Sequence, residues 1–202
     1  MSPVARRSPT RASLFSVYRQ VLHGFPIDSQ RFTALLPDRF PVFIWTFGDG
    51  PSDYLYGFPA IDGAGGGLKV ASDQFEATTT PDQVERKVGE AESAEFYERC
   101  VHGRLPAVLP GALRSSACMF TVTPDFRFVI DEHPLDRQVL IVSRCSGHGF
   151  KHSAGIGEAF AQFLLIGASA ADLSVFGLNR FGPGVTAPAR DKSLDTRFVA
   201  DQ

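Results

Sequence analysis

The stretch Cys145-Ser146-Gly147-His148-Gly149-Phe150-Lys151 puts a thiol, a hydroxyl, an imidazole and an amine close together in sequence. It lies between an apolar run, Gln138 to Ser143, and a helical pattern from about Ser153 to Ile166. A strand, then glycines, then a helix start brings bare backbone N–H groups and a partial positive charge up to a ligand. Lys151 adds a full positive charge at the same place, so the arrangement suits an electron-rich or anionic group. Glycine-rich strand-to-helix turns are common, and this one does not by itself specify a ligand.

The elements that must hold this stretch come from a chain of 202 residues, long enough for one large domain or one and a half small ones. Hydrophobic content of 44% against 21% charged predicts a packed core, and 18 Phe beside 4 Tyr and 1 Trp favour buried aromatic packing. A net charge of −2 carries no basic excess for nucleic acid. No apolar stretch is long enough to span a bilayer. The start, Met1 to Ala12, is basic and rich in Pro and Ser without an apolar signal region, and is expected to be disordered. Cys100, Cys118 and Cys145 are widely spaced and form no metal pattern, which fits free thiols in a reducing, cytoplasmic setting.

Along the chain, Val17 to Gly24 could start a strand, and Phe40 to Phe47 reads as one. Gly48 to Asp53 turns it into a hairpin partner, Tyr54 to Phe58, and Gly63 to Gly67 breaks the run before a third strand, Leu68 to Ala71, with Lys69 inside it. Thr80-Pro81-Asp82 predicts a helix start with Val84 and Val88 as its apolar stripe. Ser93 is expected to cap a second helix, Ala94 to about His102, stopped by Gly103. Ala117 to Thr123 and Phe126 to Asp131 are expected to form a hairpin, followed by a strand at Gln138 to Ser143. In the last helix Ile156, Ala159, Phe160 and Phe163 make one buried stripe, widened by Leu164 and ended by Gly167.

Three blocks then stand out together: Tyr56-Gly57-Phe58-Pro59 with Gly67-Leu68-Lys69, Ala117-Cys118-Met119-Phe120 through Asp131, and Cys145 to Lys151. In order and spacing they resemble the C-terminal half of the monomeric sarcosine oxidase and N-methyltryptophan oxidase family, FAD-dependent amine oxidases of the D-amino-acid-oxidase-like superfamily. The resemblance runs over about four-fifths of the chain, from roughly Val17 to Phe181. It implies FAD as cofactor, with Cys118 at the position of the covalent flavin link and so flavin-linked or flavin-facing. Gly147, His148, Gly149, Phe150 and Lys151 would line the flavin. Lys151 matches the lysine that holds the substrate carboxylate near the ring, Lys69 the lysine that promotes reaction with oxygen, and Tyr56 a tyrosine that shapes the substrate pocket. The implied reaction oxidises an N-methyl or other secondary amino acid to an imine, with oxygen as acceptor and peroxide as product.

The departures are specific. Asp73 stands where relatives often have His, Phe120 replaces a frequent Tyr, and Phe126-Arg127 replaces the usual Glu-His. The Gly-x-Gly-x-x-Gly dinucleotide fingerprint is missing; Gly63 to Gly67 fails its spacing. The expected fold is α+β: a largely antiparallel sheet from 40–72 and 117–131 with flanking helices, plus the strand, glycine turn and helix of 138–166 as part of the flavin-binding layer. The expected organisation is a disordered start at 1–16, a substrate-domain portion at 17–135, the C-terminal portion of a flavin-binding domain at 136–182 and a loose tail at 183–202. By itself the chain is expected to be inactive: a subunit completed by a separate FAD-binding chain, or a non-catalytic remnant.

Overall fold

The computed structural model describes residues 14–50, 53–143 and 146–182. The chain forms two compact units, Arg19–Met119 and a second in which 14–18 join 120–182.

The first unit is built on an antiparallel sheet. Its strands are β1 (Ser16–Phe25), β2 (Phe43–Thr46), β3 (Tyr54–Phe58), β4 (Leu68–Ala71), β5 (Thr78–Thr79) and β6 (Arg114–Val122). The order is β2-β3-β4-β1-β5, with β6 also pairing β1. The expected hairpin of β2 and β3 forms, with Ile44 opposite Tyr56, and β4 joins it with Tyr56 opposite Ala71. Strand alternation sends Leu55, Leu68 and Phe25, each fully buried, to one face. There they meet Phe96, Tyr97, Cys100 and Val101. These come from α2 (Glu90–Phe96) and the π-helical turn Tyr97–Val101 that continues it. The glycine-rich run preceding β4 forms a single helical turn, α1 (Gly63–Gly66).

Two expected features of this unit differ. Thr80 to Gln83 makes only a turn, and no helix follows it to Val88. The Arg19 guanidinium takes the carbonyls of Glu85 at 2.6 Å and Lys87 at 3.1 Å, groups a helix would have used internally. The helix begins at Glu90, so Ser93 lies within it rather than capping it, and its hydroxyl donates to Gly89 O at 3.3 Å. Gly103, in the left-handed region at φ 75°, does follow the helical run.

In the second unit β7 (Val129–His133) pairs antiparallel with β8 (Asp136–Ser143). The expected hairpin between 117–123 and 126–131 is therefore not made: β6 pairs β1, and the strand after it pairs β8. The link explains why. Thr123 Oγ1 donates to Arg127 O at 2.7 Å, Phe126 sits at φ 57°, and Asp125 is held by Arg180 at 2.7 Å. Arg180 also donates to Phe128 O and Phe176 O, both at 2.7 Å, so one guanidinium closes this turn against the chain's later segment. Leu14, Val129, Leu178 and Phe181 form the small core beside it.

The last helix, α3 (Ser153–Ile166), runs as expected and ends at Gly167 with φ 73°. Ala159 is buried and Ile156, Phe160 and Phe163 are half-buried, but Leu164 is 67% exposed and does not widen the stripe.

Candidate functional site

The sheet of the first unit has one face committed to the core. The register fixes what the other face carries. Phe58 lies opposite Lys69 and Tyr56 opposite Ala71, and residues paired across strands share a face. That face therefore displays Tyr54, Tyr56 and Phe58 from β3 and Lys69 from β4. Tyr54 and Tyr56 stack with centroids 6.4 Å apart, and Lys69 Nζ lies 5.0 Å from the centre of the Phe58 ring.

Cys118 of β6 and Asp73, two residues past β4, belong to the same neighbourhood. Burial, then the charges of Asp73 and Cys118, push the Tyr56 hydroxyl well above the ordinary phenol range. Burial raises the Cys118 thiol, nearby Lys69 draws it down, and Asp73 raises it again. Tyr56, Lys69 and Cys118, expected as site residues, are thus brought together. Asp73 and Tyr54 join them. In the sequence Asp73 is visible only as a departure, while Tyr54 is legible from the alternation Tyr54, Tyr56, Phe58.

Gln20 fixes the end of β4. Its fully buried side chain donates to Gln74 O at 2.6 Å and accepts from Gln74 N at 2.9 Å. The backbone next to Asp73 is held by both its amide and its carbonyl neighbours.

The glycine-rich stretch lies in the second unit. Cys145 falls outside the described residues. Ser146 and Gly147 are in the left-handed region at φ 71° and 81°, and a Cβ on Gly147 would meet the Phe120 ring at 2.6 Å. Gly147 is thus required by the Phe120 ring and by its own φ. Gly149 is buried with an ordinary φ of −71°. His148 Nε2 lies 3.0 Å from Phe126 O, and its ring packs 5.0 Å from that of Phe128. Phe150 and Lys151 sit on a 3-10 turn that leads into α3, Phe150 94% exposed and Lys151 also exposed.

The face carries three aromatic rings and a cation, with a carboxylate and a thiol within electrostatic reach, so it offers apolar surface beside polar groups. Among the described residues no strand, glycine turn and helix carries the fingerprint for a dinucleotide's pyrophosphate. No group of His, Cys, Asp and Glu among them is placed to hold a metal ion.

Comparison with known proteins defines the class. The sequence profile of the FAD dependent oxidoreductase family (DAO) matches residues 4–163, and the chain belongs to that family. The chain is 36% identical over 186 residues to the monomeric sarcosine oxidase of Bacillus sp. (strain B-0618), covering 90% of this chain and 43% of that protein. It is 34% identical over 167 residues to the N-methyl-L-tryptophan oxidase of Salmonella enteritidis PT4 (strain P125109), covering 81% of this chain and 42% of that one. The chain spans less than half the length of these curated relatives. Among solved structures, the deglycating fructosamine oxidase from Aspergillus fumigatus (Amadoriase II) shares the fold with a TM-score of 0.60 at 16% identity, over 91% of this chain and 44% of that one. NikD, an amino acid oxidase of nikkomycin biosynthesis, gives 0.57 at 15% identity over 87% of this chain and 44% of that one.

Proposed function

We propose that this chain supplies the substrate-side half of an FAD-dependent amine oxidase that converts N-methyl or other secondary amino acids to imines with oxygen as acceptor. The observation that carries the reading is the meeting of Tyr56 and Lys69 on one sheet face, with Cys118 within electrostatic reach of both, the positions that the resemblance singles out. FAD bound at this face supplies the electron acceptor. Cys118 provides the sulfur for a covalent link, and Lys69 provides a cation that favours electron transfer toward oxygen, since the product of that step is anionic. Tyr56, kept protonated by its surroundings, serves as a hydrogen-bond donor across the whole physiological range. Lys151, beside the Gly147 to Phe150 turn of the second unit, keeps the role that the resemblance gives it, a cation for an anionic group.

The dinucleotide-binding half comes, in this reading, from a further polypeptide segment, with a separate chain the version that makes this protein a subunit. Two observations support a covered surface on the second unit. Among the described residues β8 pairs only with β7. Phe150, Leu165 and Ile166 are 94%, 83% and 75% exposed. Cys100 and Cys118 are both free thiols, which supports a cytoplasmic setting. No helix among the described residues is long and apolar enough to cross a membrane.

The test is flavin retention. The purified chain is incubated with FAD, alone and with a separately expressed FAD-binding half of a relative, and denatured in acid. Flavin that stays on the protein and is lost in Cys118→Ala supports the reading. No retained flavin and no peroxide from sarcosine or N-methyltryptophan in either mixture would sink it and leave the remnant.

A further inference from the structure

We propose that β2 is a self-association edge: two copies of this chain pair their β2 strands antiparallel about a two-fold axis at Ile44, continuing the sheet of the first unit from one chain into the other. The contact depends neither on flavin nor on the oxidase reading. β2 is the last strand at its end of the sheet, so its outer edge is open among the described residues. The Phe47 amide donates to Asp53 O at 2.9 Å, which makes 47 and 53 a hydrogen-bonded pair. Such pairs alternate along an antiparallel ladder, and Phe43 on Gly57 and Trp45 on Leu55 fall in the same set. The N–H and C=O groups of Ile44 and Thr46 therefore point outward, in phase to take a further strand. Little at this edge repels one. Val42, Ile44 and Trp45 are 63%, 76% and 41% exposed, and β2 itself carries no charge.

Self-complementarity singles out a second copy as the occupant. With the axis at Ile44, residues equally far from Ile44 on either side face each other. Ile44 then meets Ile44 of the second copy, and Trp45 meets Phe43, which is itself braced edge-on by Phe40 at 5.3 Å. The two large exposed apolar residues of β2 each gain an apolar partner, and the contact repeats by symmetry. The same counting sets Arg39 toward Asp49 at both ends of the paired strands. Both residues are exposed, and Arg39 is met by its neighbour Asp38 only at 3.8 Å. Antiparallel pairing thus brings opposite charges together, whereas in-register parallel pairing would set Arg39 on Arg39 and Asp49 on Asp49.

The experiment is sedimentation equilibrium of the purified chain over a concentration series. A single monomer–dimer equilibrium is expected, with a Kd on the order of 10–100 μM for so small a contact. Ile44→Lys puts two like charges on the axis and should weaken the dimer at least tenfold with an unchanged far-UV spectrum. Arg39→Asp and Asp49→Arg should each weaken it several-fold, and the two together should restore it. A cysteine on the axis lies within disulfide reach of its own copy, because hydrogen-bonded antiparallel pairs hold their Cα atoms about 5.5 Å apart. Ile44→Cys should therefore cross-link on mild oxidation, while Thr46→Cys, off the axis, and the native chain should not. A monomer at every concentration, a dimer indifferent to Ile44→Lys, a charge swap that restores nothing, or equal cross-linking through Thr46→Cys overturns the proposal. So does a monomer that takes up the separately expressed FAD-binding half of a relative and loses it in Ile44→Lys, which would give the edge to that half.

Discussion

Gln20 closes two hydrogen bonds on a single residue, Gln74, its Nε2 donating to the carbonyl at 2.6 Å and its Oε1 accepting from the amide at 2.9 Å. Replacing Gln20 by Ala would take this partner from the part-buried amide and carbonyl of Gln74, at a cost of about 0.5–1.5 kcal/mol for each hydrogen bond lost. Gln20→Ala should therefore lower the urea midpoint markedly. It should also broaden the amide signals of 72–75 more than those of β2. Uniform loss of stability without local broadening would mean the clamp positions nothing.

His23 gives the first unit a pH dependence. The ring is 1% exposed, stacks on Phe96 at 4.5 Å, and meets Ser115 Oγ at 2.9 Å through Nδ1. Burial drives its pKa down to about 4, with Glu92 opposing and Arg19 assisting. The unfolded chain, with histidine near 6.5, then binds the proton more readily than the folded one. The neutral ring's contribution is complete above about pH 6.5 and is lost as pH falls toward the folded value, a change on the order of 3 kcal/mol. Urea melts from pH 7 to 4 should show this slope in the native protein and its loss in His23→Phe.

Glu92 acts lower on the scale. The hydrogen bond from Arg19, at 2.5 Å, holds its carboxyl below the ordinary carboxylate range against the opposing effect of burial. The pair's contribution is present above the unfolded carboxylate's pKa of about 4.3 and is lost as pH falls through the lower folded value. Glu92→Gln should be less stable than the native chain at pH 7, with the gap closing between pH 4.5 and 3. A constant gap would mean that packing, not charge, holds Arg19 in place.

How far the fold could be read from the sequence depended on which forces were local. The strand alternation of Tyr54 to Phe58 and the stripe of Ile156 to Phe163 are local patterns, and both elements form. The segment after Thr80 has a good helix start, but Arg19, far away in sequence, captures its carbonyls and wins. The turn after Thr123 looks like a hairpin connection, yet Arg180 and Asp125 redirect it. Lys69, Tyr56 and Cys118 were singled out by the resemblance rather than by any local pattern. Asp73 was visible only as an exception, since its approach to Tyr56 and Cys118 is a property of the folded chain.

Gly147 should be irreplaceable for steric reasons. Its φ of 81° disfavours any side chain, and an added Cβ would lie 2.6 Å from the Phe120 ring. Gly147→Ala should destabilise the second unit by about 1–3 kcal/mol from backbone strain, and more from the clash. Combining it with Phe120→Ala should cost less than the sum of the two single changes, because the clash is removed while the strain stays. Simple additivity in a double-mutant cycle would show that the ring and the glycine are not in contact.

Cys118 reports on the charges around it. Burial holds its thiol up, Lys69 pulls the thiolate into reach, and Asp73 works against it. Alkylation requires the thiolate, so the rate follows these charges. At pH 8, Lys69→Met should slow modification of Cys118 by iodoacetamide several-fold, and Asp73→Asn should speed it, each read by mass spectrometry of the peptide that contains Cys118. Cys100, fully buried in the core of the same unit with its thiol also raised by burial, should react slowly and equally in all three proteins, which serves as the internal check on folding. Opposite responses to the two substitutions at Cys118, with Cys100 unmoved, require that Lys69 and Asp73 both lie within electrostatic reach of one sulfur. That is the arrangement on which the proposed flavin link depends. Identical rates in the native chain and both variants would place the charges elsewhere and remove that support.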